Sequence, residues 1–303
     1  MKKTILMMAL TAIALFAVTA CGDDDDDKGG GNNQESTVTL PVPKYKNDAA
    51  KFKVPSTEIK FKGENIKVET IELTESGRYL VTYQKSKAAS RETRAVPELV
   101  YQMGLFTKEG DGKYTLTDFA RIIIEKDGNK YMLTLIPAGE DGIEVEVTKL
   151  ATIAASELTD YICRTWNISN TRIQGNADGV NVAKDFPGSC NMNELVSYAR
   201  SKGVTIKEDP DPNTVVEGVT FSSSSSYIIN YLNGKKDVGT WRWTKQSTGT
   251  GEIAYDWDGN HMGFEAIKHT GVVTFEGSRC KLALPVSDGS ATLEVVYTLI
   301  PAN

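Results

Sequence analysis

Residues 70–83 read TIELTESGRYLVTY, two β-prone runs on either side of a short turn signal. Tyr79, Val81 and Tyr83 fall on one face of the second run, because successive side chains of a strand point to opposite faces. Glu-Ser-Gly at 75–77 supplies a glycine, which adopts the positive φ that tight hairpin turns require. The stretch therefore predicts a β-hairpin with one buried face.

The same period of two continues along much of the chain. Ile143, Val145 and Val147 alternate with glutamates, and Asp-Gly pairs at 111–112 and 127–128 mark turns between such runs. This alternation is typical of strands with one buried and one solvated face. The body is therefore predicted to be mainly β, built of antiparallel meanders.

Three short matches relate the second half of the body to the first. They pair residues 70–83 with 218–231 (GVTFSSSSSYIINY), GLFTK at 104–108 with GTWRWTK at 239–245, and TLIPA at 134–138 with TLIPA at 298–302. The matches keep their order, which favours a duplicated β unit with a boundary near residues 150–156. The alternative is that unrelated hairpins of similar composition resemble one another.

Two short helices are predicted before the second set of strands. Ser156 can cap the first, in which Leu158, Ile162 and Trp166 recur every fourth residue on one face. The second begins at a capping-box-like pair and ends at a glycine, as helices often do. These three positions are Asn191, Glu194 and Gly203.

Three cysteines lie in the body of the chain. Cys163 is placed in the first helix and Cys190 just before the second, so a disulfide could clamp the helices together in an exported protein. Because connectivity cannot be read from sequence, free thiols remain the alternative. Cys280 shares an apolar face with Leu282 and Leu284 and is predicted to be a buried thiol.

The N-terminus carries the pattern of an export signal. Residues 1–20 combine two lysines with an apolar run that is too short for a mature membrane helix, which predicts a signal peptide. Val-Thr-Ala-Cys at 18–21 resembles the bacterial lipobox, and the resemblance implies that the sulfur of Cys21 carries a diacylglycerol. An ordinary cleaved signal with a chance cysteine is the alternative.

Residues 21–40 form an acidic, glycine-rich tether. Five aspartates at 23–27 precede KGGGNNQES at 28–36, a composition typical of an extended, flexible segment. The acidic run directly after Cys21 resembles the surface-export signal of Bacteroidetes lipoproteins. That resemblance implies a lipid anchor in the outer membrane and a body facing the cell exterior, whereas a plain solvated spacer is the alternative.

The second half is similar to the lipocalin-like lipoprotein domains of Bacteroidetes. The similarity rests on CRTWNI at 163–168, on GTWRW at 239–243, and on three aromatic residues between them, which are Phe221, Tyr227 and Tyr231. One position departs from the family pattern, because Arg164 stands where a glycine usually precedes the tryptophan. Membership of the family is therefore favoured over a lipocalin type of ligand binding.

This resemblance implies two lipocalin-like (calycin-type) barrel or half-barrel units. The first is an N-terminal β domain at 41–150, and the second is a C-terminal domain at 151–303 that carries the two short helices. A closed barrel of about eight strands either fills with its own side chains or holds one small ligand. The sequence leaves both outcomes open.

Composition and charge exclude several classes of function. With 34 Lys and Arg against 40 Asp and Glu, the net charge is -6, so the chain is not predicted to bind nucleic acid. Neither of the two histidines has a metal-ligand spacing, and no Gly-x-Ser-x-Gly elbow is present. The sequence therefore predicts no metal site, no cofactor and no enzymatic activity.

Aromatic residues are the candidates for a ligand surface. Trp241 and Trp243 share one face of a predicted strand, and Tyr255 and Trp257 share one face of the next. Such rings could form an aromatic floor for a small apolar ligand or a glycan, although core packing is the default role of buried aromatic residues.

Three functions are compatible with these features. The leading hypothesis is a surface-exposed, lipid-anchored, non-enzymatic binding or interaction module. One alternative is a glycan-acting hydrolase of the cell envelope that uses a carboxylate pair. The other is a structural subunit of an outer-membrane assembly, which would expose an apolar patch or an open sheet edge.

Overall fold

The computed structural model describes residues 38–85, 99–177, 179–204, 215–256, 269–288 and 291–302. They form two closed, eight-stranded, antiparallel β-barrels, so the predicted fold class is confirmed. The signal peptide, Cys21, most of the tether and Trp257 lie outside the described residues. No helix within these ranges is both long and apolar enough to cross a membrane.

The first barrel is an up-and-down meander in which each strand pairs with the next. Its strands are β1 (Ala50–Phe61), β2 (Glu64–Leu73), β3 (Arg78–Lys85), β4 (Leu99–Gly110), β5 (Lys113–Leu116), β6 (Ala120–Asp127), β7 (Lys130–Pro137) and β8 (Ile143–Lys149). Phe52 and Lys53 of β1 pair with Lys149 and Thr148 of β8 and close the barrel. Inward side chains such as Ile71, Leu73 and Val81 fill its core.

The second barrel has the same order with one additional strand. Its elements are α1 (Glu157–Ile162), β9 (Thr165–Ala177), β10 (Val180–Pro187), α2 (Met192–Ser201), β11 (Val216–Phe221), β12 (Ser226–Tyr231), β13 (Lys236–Ser247), β14 (Thr250–Asp256), β15 (His269–Glu276), β16 (Arg279–Asp288) and β17 (Ala291–Pro301). Strand β9 pairs with both β11 and β17 and so closes the barrel, while β10 extends the sheet beside β9.

The predicted helix termini agree with the structure, but the first helix is shorter than predicted, and only this helix precedes the second set of strands, because β9 and β10 lie between α1 and α2. Ser156 caps α1 by accepting a hydrogen bond from the Thr159 amide, and Gly203 follows α2 with φ of +88°. Trp166, predicted on the first helix, instead lies in β9, because the helix ends before the non-helical Cys163. In β9 the Trp166 ring faces the barrel core and is fully buried.

The first two sequence matches fall on equivalent strands. Hairpins β2–β3 and β11–β12 hold the second and third positions in their barrels, and their turns share one hydrogen-bond pattern. The amide of Phe106 on β4 donates to Gly77 O at 2.9 Å, and the amide of Trp241 on β13 donates to Ser225 O at 2.8 Å. The two barrels therefore repeat one local geometry at this turn.

The third match is wrong as a structural equivalence. Residues 134–137 lie in β7, the seventh strand of the first barrel, whereas residues 298–301 lie in β17, the eighth strand of the second. Both copies are ordinary alternating runs with buried leucines, at Leu135 and Leu299. Such an apolar run fits any strand that faces a core. Five identical residues therefore do not show that the two segments hold equivalent positions in their barrels.

The barrels meet through the two equivalent hairpins. The Ser226 hydroxyl on β12 donates to Glu72 on β2 at 2.7 Å and accepts from Lys51 on β1 at 2.9 Å. Leu80 of β3 and Ile228 of β12 are also buried, although they alternate with the residues that face their own barrel cores. Both hairpins are therefore buried on two faces.

The possible disulfide between Cys163 and Cys190 is not formed. Both cysteines are free and buried, as is Cys280. Cys163 caps the end of α1, while the Cys190 thiol donates to the main-chain oxygen of Asn191 at the start of α2. Cys280 is the buried thiol that the sequence predicted.

Candidate functional site

The second barrel contains a small cavity of about 40 Å³. Its walls come from inward positions of β9, β11, β12, β14, β16 and β17. Four of the lining residues are aromatic, namely Phe221, Tyr227, Tyr255 and Tyr297, and the rest are aliphatic. The cavity is therefore an apolar space inside the barrel, with aromatic rings on part of its wall.

The aromatic side chains of the cavity wall contact one another. The Tyr227 ring stacks on Phe221, with centroids 5.9 Å apart, and meets Tyr255 edge-on at 6.1 Å. Burial raises the pKa of Tyr227, Tyr255 and Tyr297 above the usual value for a phenol. These side chains therefore stay neutral at physiological pH, and no charge is available to attract an ionic ligand.

The volume of the cavity limits what it can hold. A water molecule needs roughly 10–15 Å³ but also two or more polar partners, and purely apolar cavities stay dry. Pockets for drug-sized ligands are about 300–1,000 Å³. A space of about 40 Å³ therefore suits a compact apolar molecule or the apolar end of a longer one.

The described residues of the predicted aromatic set lie in different environments, although the Trp241 and Trp243 rings meet edge-on with centroids 5.4 Å apart. Tyr255 lines the cavity. Trp241 is fully buried beside it, where its indole N–H donates to Ser222 O at 3.0 Å. Trp243 lies half-buried outside the cavity wall and donates to the Thr159 hydroxyl at 3.0 Å. Trp257 lies outside the described residues, and a shared aromatic floor of these four side chains stays a prediction.

Sequence reasoning did not assign Phe221, Tyr227 or Tyr297 to a ligand site. Each lies at an inward position of its strand. Phe221 and Tyr227 belong to the motif that carries the lipocalin-like resemblance, so the motif contained a usable signal. Tyr297 shares one face of β17 with Val295 and Leu299, and such an apolar face reads the same whether it lines a cavity or a filled core.

A second cluster of interest is the charged group between the barrels. Glu72 is fully buried, and its carboxylate lies 3.2 Å from Lys51 Nζ. Glu75, in the turn between β2 and β3, accepts hydrogen bonds from the amide and the hydroxyl of Ser223. Burial raises the pKa of Glu75 to about 7, with a smaller contribution from the nearby negative charge of Glu72.

These neighbouring carboxylates are engaged in the interface. Both side chains are covered by the second barrel and pair with Lys51, Ser223 or Ser226. A glycan cannot reach them without separating the barrels. Among the described residues, no group of three or more His, Cys, Asp or Glu side chains could hold a metal ion.

Comparisons with known proteins add little to this description. Neither a protein-family model nor a curated protein matches the sequence. One solved structure found by similarity is a protein of unknown function from the DUF3598 family of Nostoc punctiforme. It is 10% identical, with 84% of this chain and 94% of that chain covered at a TM-score of 0.14. A similarity this low carries no argument about fold or function.

Proposed function

We propose that this protein is a lipid-anchored, surface-exposed binding module that holds a small apolar ligand in its second barrel. The observation that carries the proposal is the apolar cavity of about 40 Å³ inside this barrel. Binding there is driven by removing apolar surface from water, at about 25 cal/mol per Å². The function is non-enzymatic, and the protein belongs with the lipocalin-like lipoproteins that its second half resembles.

The proposed anchor is compatible with the path of the chain before β1. The Thr39 amide donates to Gly277 O on the second barrel at 3.0 Å, and the Tyr45 amide donates to Glu75 O on the first barrel at 3.1 Å. The segment after the tether therefore crosses from one barrel to the other. An anchor at Cys21 would hold both barrels at the membrane surface through this segment.

Native mass spectrometry tests the ligand. The soluble body from Ser36 onward is purified without detergent, and its native mass is compared with the denatured mass of the same sample. The expected result is a mass excess that disappears on denaturation and corresponds to a compact apolar compound. A bare chain mass in both measurements, also after incubation with an extract of apolar compounds, would contradict the proposal.

A further inference from the structure

The two barrels can be compared position by position through a shared irregularity in strand pairing. In the first barrel the register of β4 against β5 shifts directly after Lys108, which pairs with Tyr114. In the second barrel the register of β13 against β14 shifts directly after Trp243, which pairs with Ile253. Tyr114 and Ile253 therefore occupy equivalent inward positions.

The next strand shows where the barrels differ. Tyr114 pairs with Ile122 on β6, whereas Ile253 pairs with Gly271 on β15. Ile122 is fully buried and fills the core of the first barrel. The equivalent position in the second barrel has no side chain, although its neighbours Val273 and Phe275 on β15 face the core.

The position of the missing side chain at Gly271 is covered by Leu284, a residue of the cavity wall. A Cβ atom built there would lie 2.8 Å from Leu284 Cδ2 and 3.5 Å from Ile253 Cγ1. Leu284 and Ile253 both line the cavity. Leu284 therefore rests in the space that an isoleucine fills in the first barrel, and the lack of a side chain at Gly271 leaves that space to it.

We propose that Gly271 makes the second barrel the ligand-binding one and restricts its ligand to a compact, wholly apolar molecule. The inference rests on the proposed function, because it names the residue that determines the ligand cavity and the class of ligand that the cavity holds. A ligand carrying a hydroxyl or amide at this wall would lose its hydrogen bonds to water without replacement. In the first barrel, Ile122 occupies the equivalent inward position.

Xenon is a suitable probe, because apolar cavities in proteins bind it. The soluble body from Ser36 onward is titrated with xenon, and binding is followed by ¹²⁹Xe NMR and by the methyl resonances of Leu284 and Ile253. We compare the unsubstituted protein with Gly271→Ala and with the matched variant Ile122→Ala. Thermal unfolding of each variant checks that it is folded.

The expected results differ between the two barrels. The unsubstituted protein binds xenon at Leu284 and Ile253. Gly271→Ala weakens that binding by about tenfold or more, because its methyl group displaces Leu284 into the cavity. Ile122→Ala adds a second xenon site in the first barrel, reported by Leu133 and Leu135. If Ile122→Ala does not fold, Ile122→Val is used, with a weaker second site expected.

Two results would overturn the inference. One is unchanged xenon affinity in a folded Gly271→Ala, and the other is no xenon binding by the unsubstituted protein. Failure of the proposed function is distinguishable from both, because it appears as a bare native mass in a protein whose xenon site still depends on Gly271.

Discussion

The ring of Tyr227 on β12 covers Gly239 on β13, its pairing partner, so closely that a Cβ atom at Gly239 would lie 2.4 Å from the ring. The first barrel repeats the arrangement, because Tyr79 covers Gly104 and a Cβ there would lie 2.7 Å from the tyrosine ring. The aromatic residue and the glycine are thus one structural unit, used once in each barrel.

Gly239→Ala should destabilise the protein more than Gly104→Ala. The added Cβ at Gly239 would also lie 2.2 Å from the main-chain oxygen of Asp256, which cannot rotate away. At Gly104 the nearest atoms all belong to the Tyr79 side chain, which can shift more readily than main-chain atoms can. Overpacking of this kind costs about 1–3 kcal/mol. Urea unfolding of both variants measures the difference, and equal free energies of unfolding would contradict this account.

The sequence predicted the strands and the β-rich class well, because alternation and turn glycines act locally. It also located the equivalent hairpins and the caps at Ser156 and Asn191. Trp166 was predicted on the first helix because, over a few residues, a helix and a strand can turn the same sequence positions toward a core. Local patterns could not show closure of the barrels, which depends on pairing between β1 and β8 and between β9 and β17.

The cavity was harder to predict than the fold. Whether a barrel core is full depends on the sum of side chains from several strands, and Gly271 looks in the sequence like any glycine of a strand. The contact between the two barrels could not be predicted from the sequence for a similar reason. The serine run at 222–226 is typical of a solvated turn. In the structure, however, Ser222, Ser224 and Ser226 are buried, either against the first barrel or within the turn between β11 and β12.

Cysteine accessibility should distinguish free thiols from a disulfide. The soluble body should show three free thiols per chain when it is denatured without a reductant. In the native state all three should react slowly at pH 8, since burial raises the pKa of each thiol, that of Cys190 to about 12. Titration with a chromogenic disulfide reagent measures both states, and a single thiol after denaturation would indicate a bridge.

Removing Lys51 should leave the buried carboxylate of Glu72 without its cation. Breaking a buried ion pair from one side costs about 3–5 kcal/mol. We therefore expect Lys51→Met to lower the free energy of unfolding by that order, and the double variant with Glu72→Gln to recover much of the loss. Chemical denaturation of the two single variants and the double variant measures the coupling. Additive effects would show that the pair does not act as a unit.

Cys21→Ser should release the full-length protein from the membrane. The lipid is attached through the sulfur, so a hydroxyl at this position cannot carry it. Detergent phase partition of cells expressing each form measures the anchor, and Cys163→Ser is the matched control because Cys163 is buried in the second barrel. Continued partition of Cys21→Ser into the detergent phase would contradict lipidation at this residue.

The Glu75 carboxyl should make the stability of the protein depend on pH. Its pKa is raised from 4.5 to about 7 in the folded protein, so its stabilising contribution is fully present below pH 4.5 and is lost as the pH rises through about 7. This shift of the pKa corresponds to about 3 kcal/mol in the free energy of unfolding.

Glu75→Gln keeps an oxygen that accepts from Ser223 but cannot ionise. The variant should match the unsubstituted protein near pH 5 and exceed it by up to about 3 kcal/mol at pH 8. Glu140→Gln, on an exposed turn, is the control and should leave the free energy of unfolding unchanged at both pH 5 and pH 8. Urea unfolding from pH 5 to pH 8 measures the difference. A gap between Glu75→Gln and the unsubstituted protein that stays constant with pH would show that Glu75 does not titrate in this range, whereas a gap that opens between pH 5 and 7 would identify Glu75 as the titrating group at the junction of the barrels.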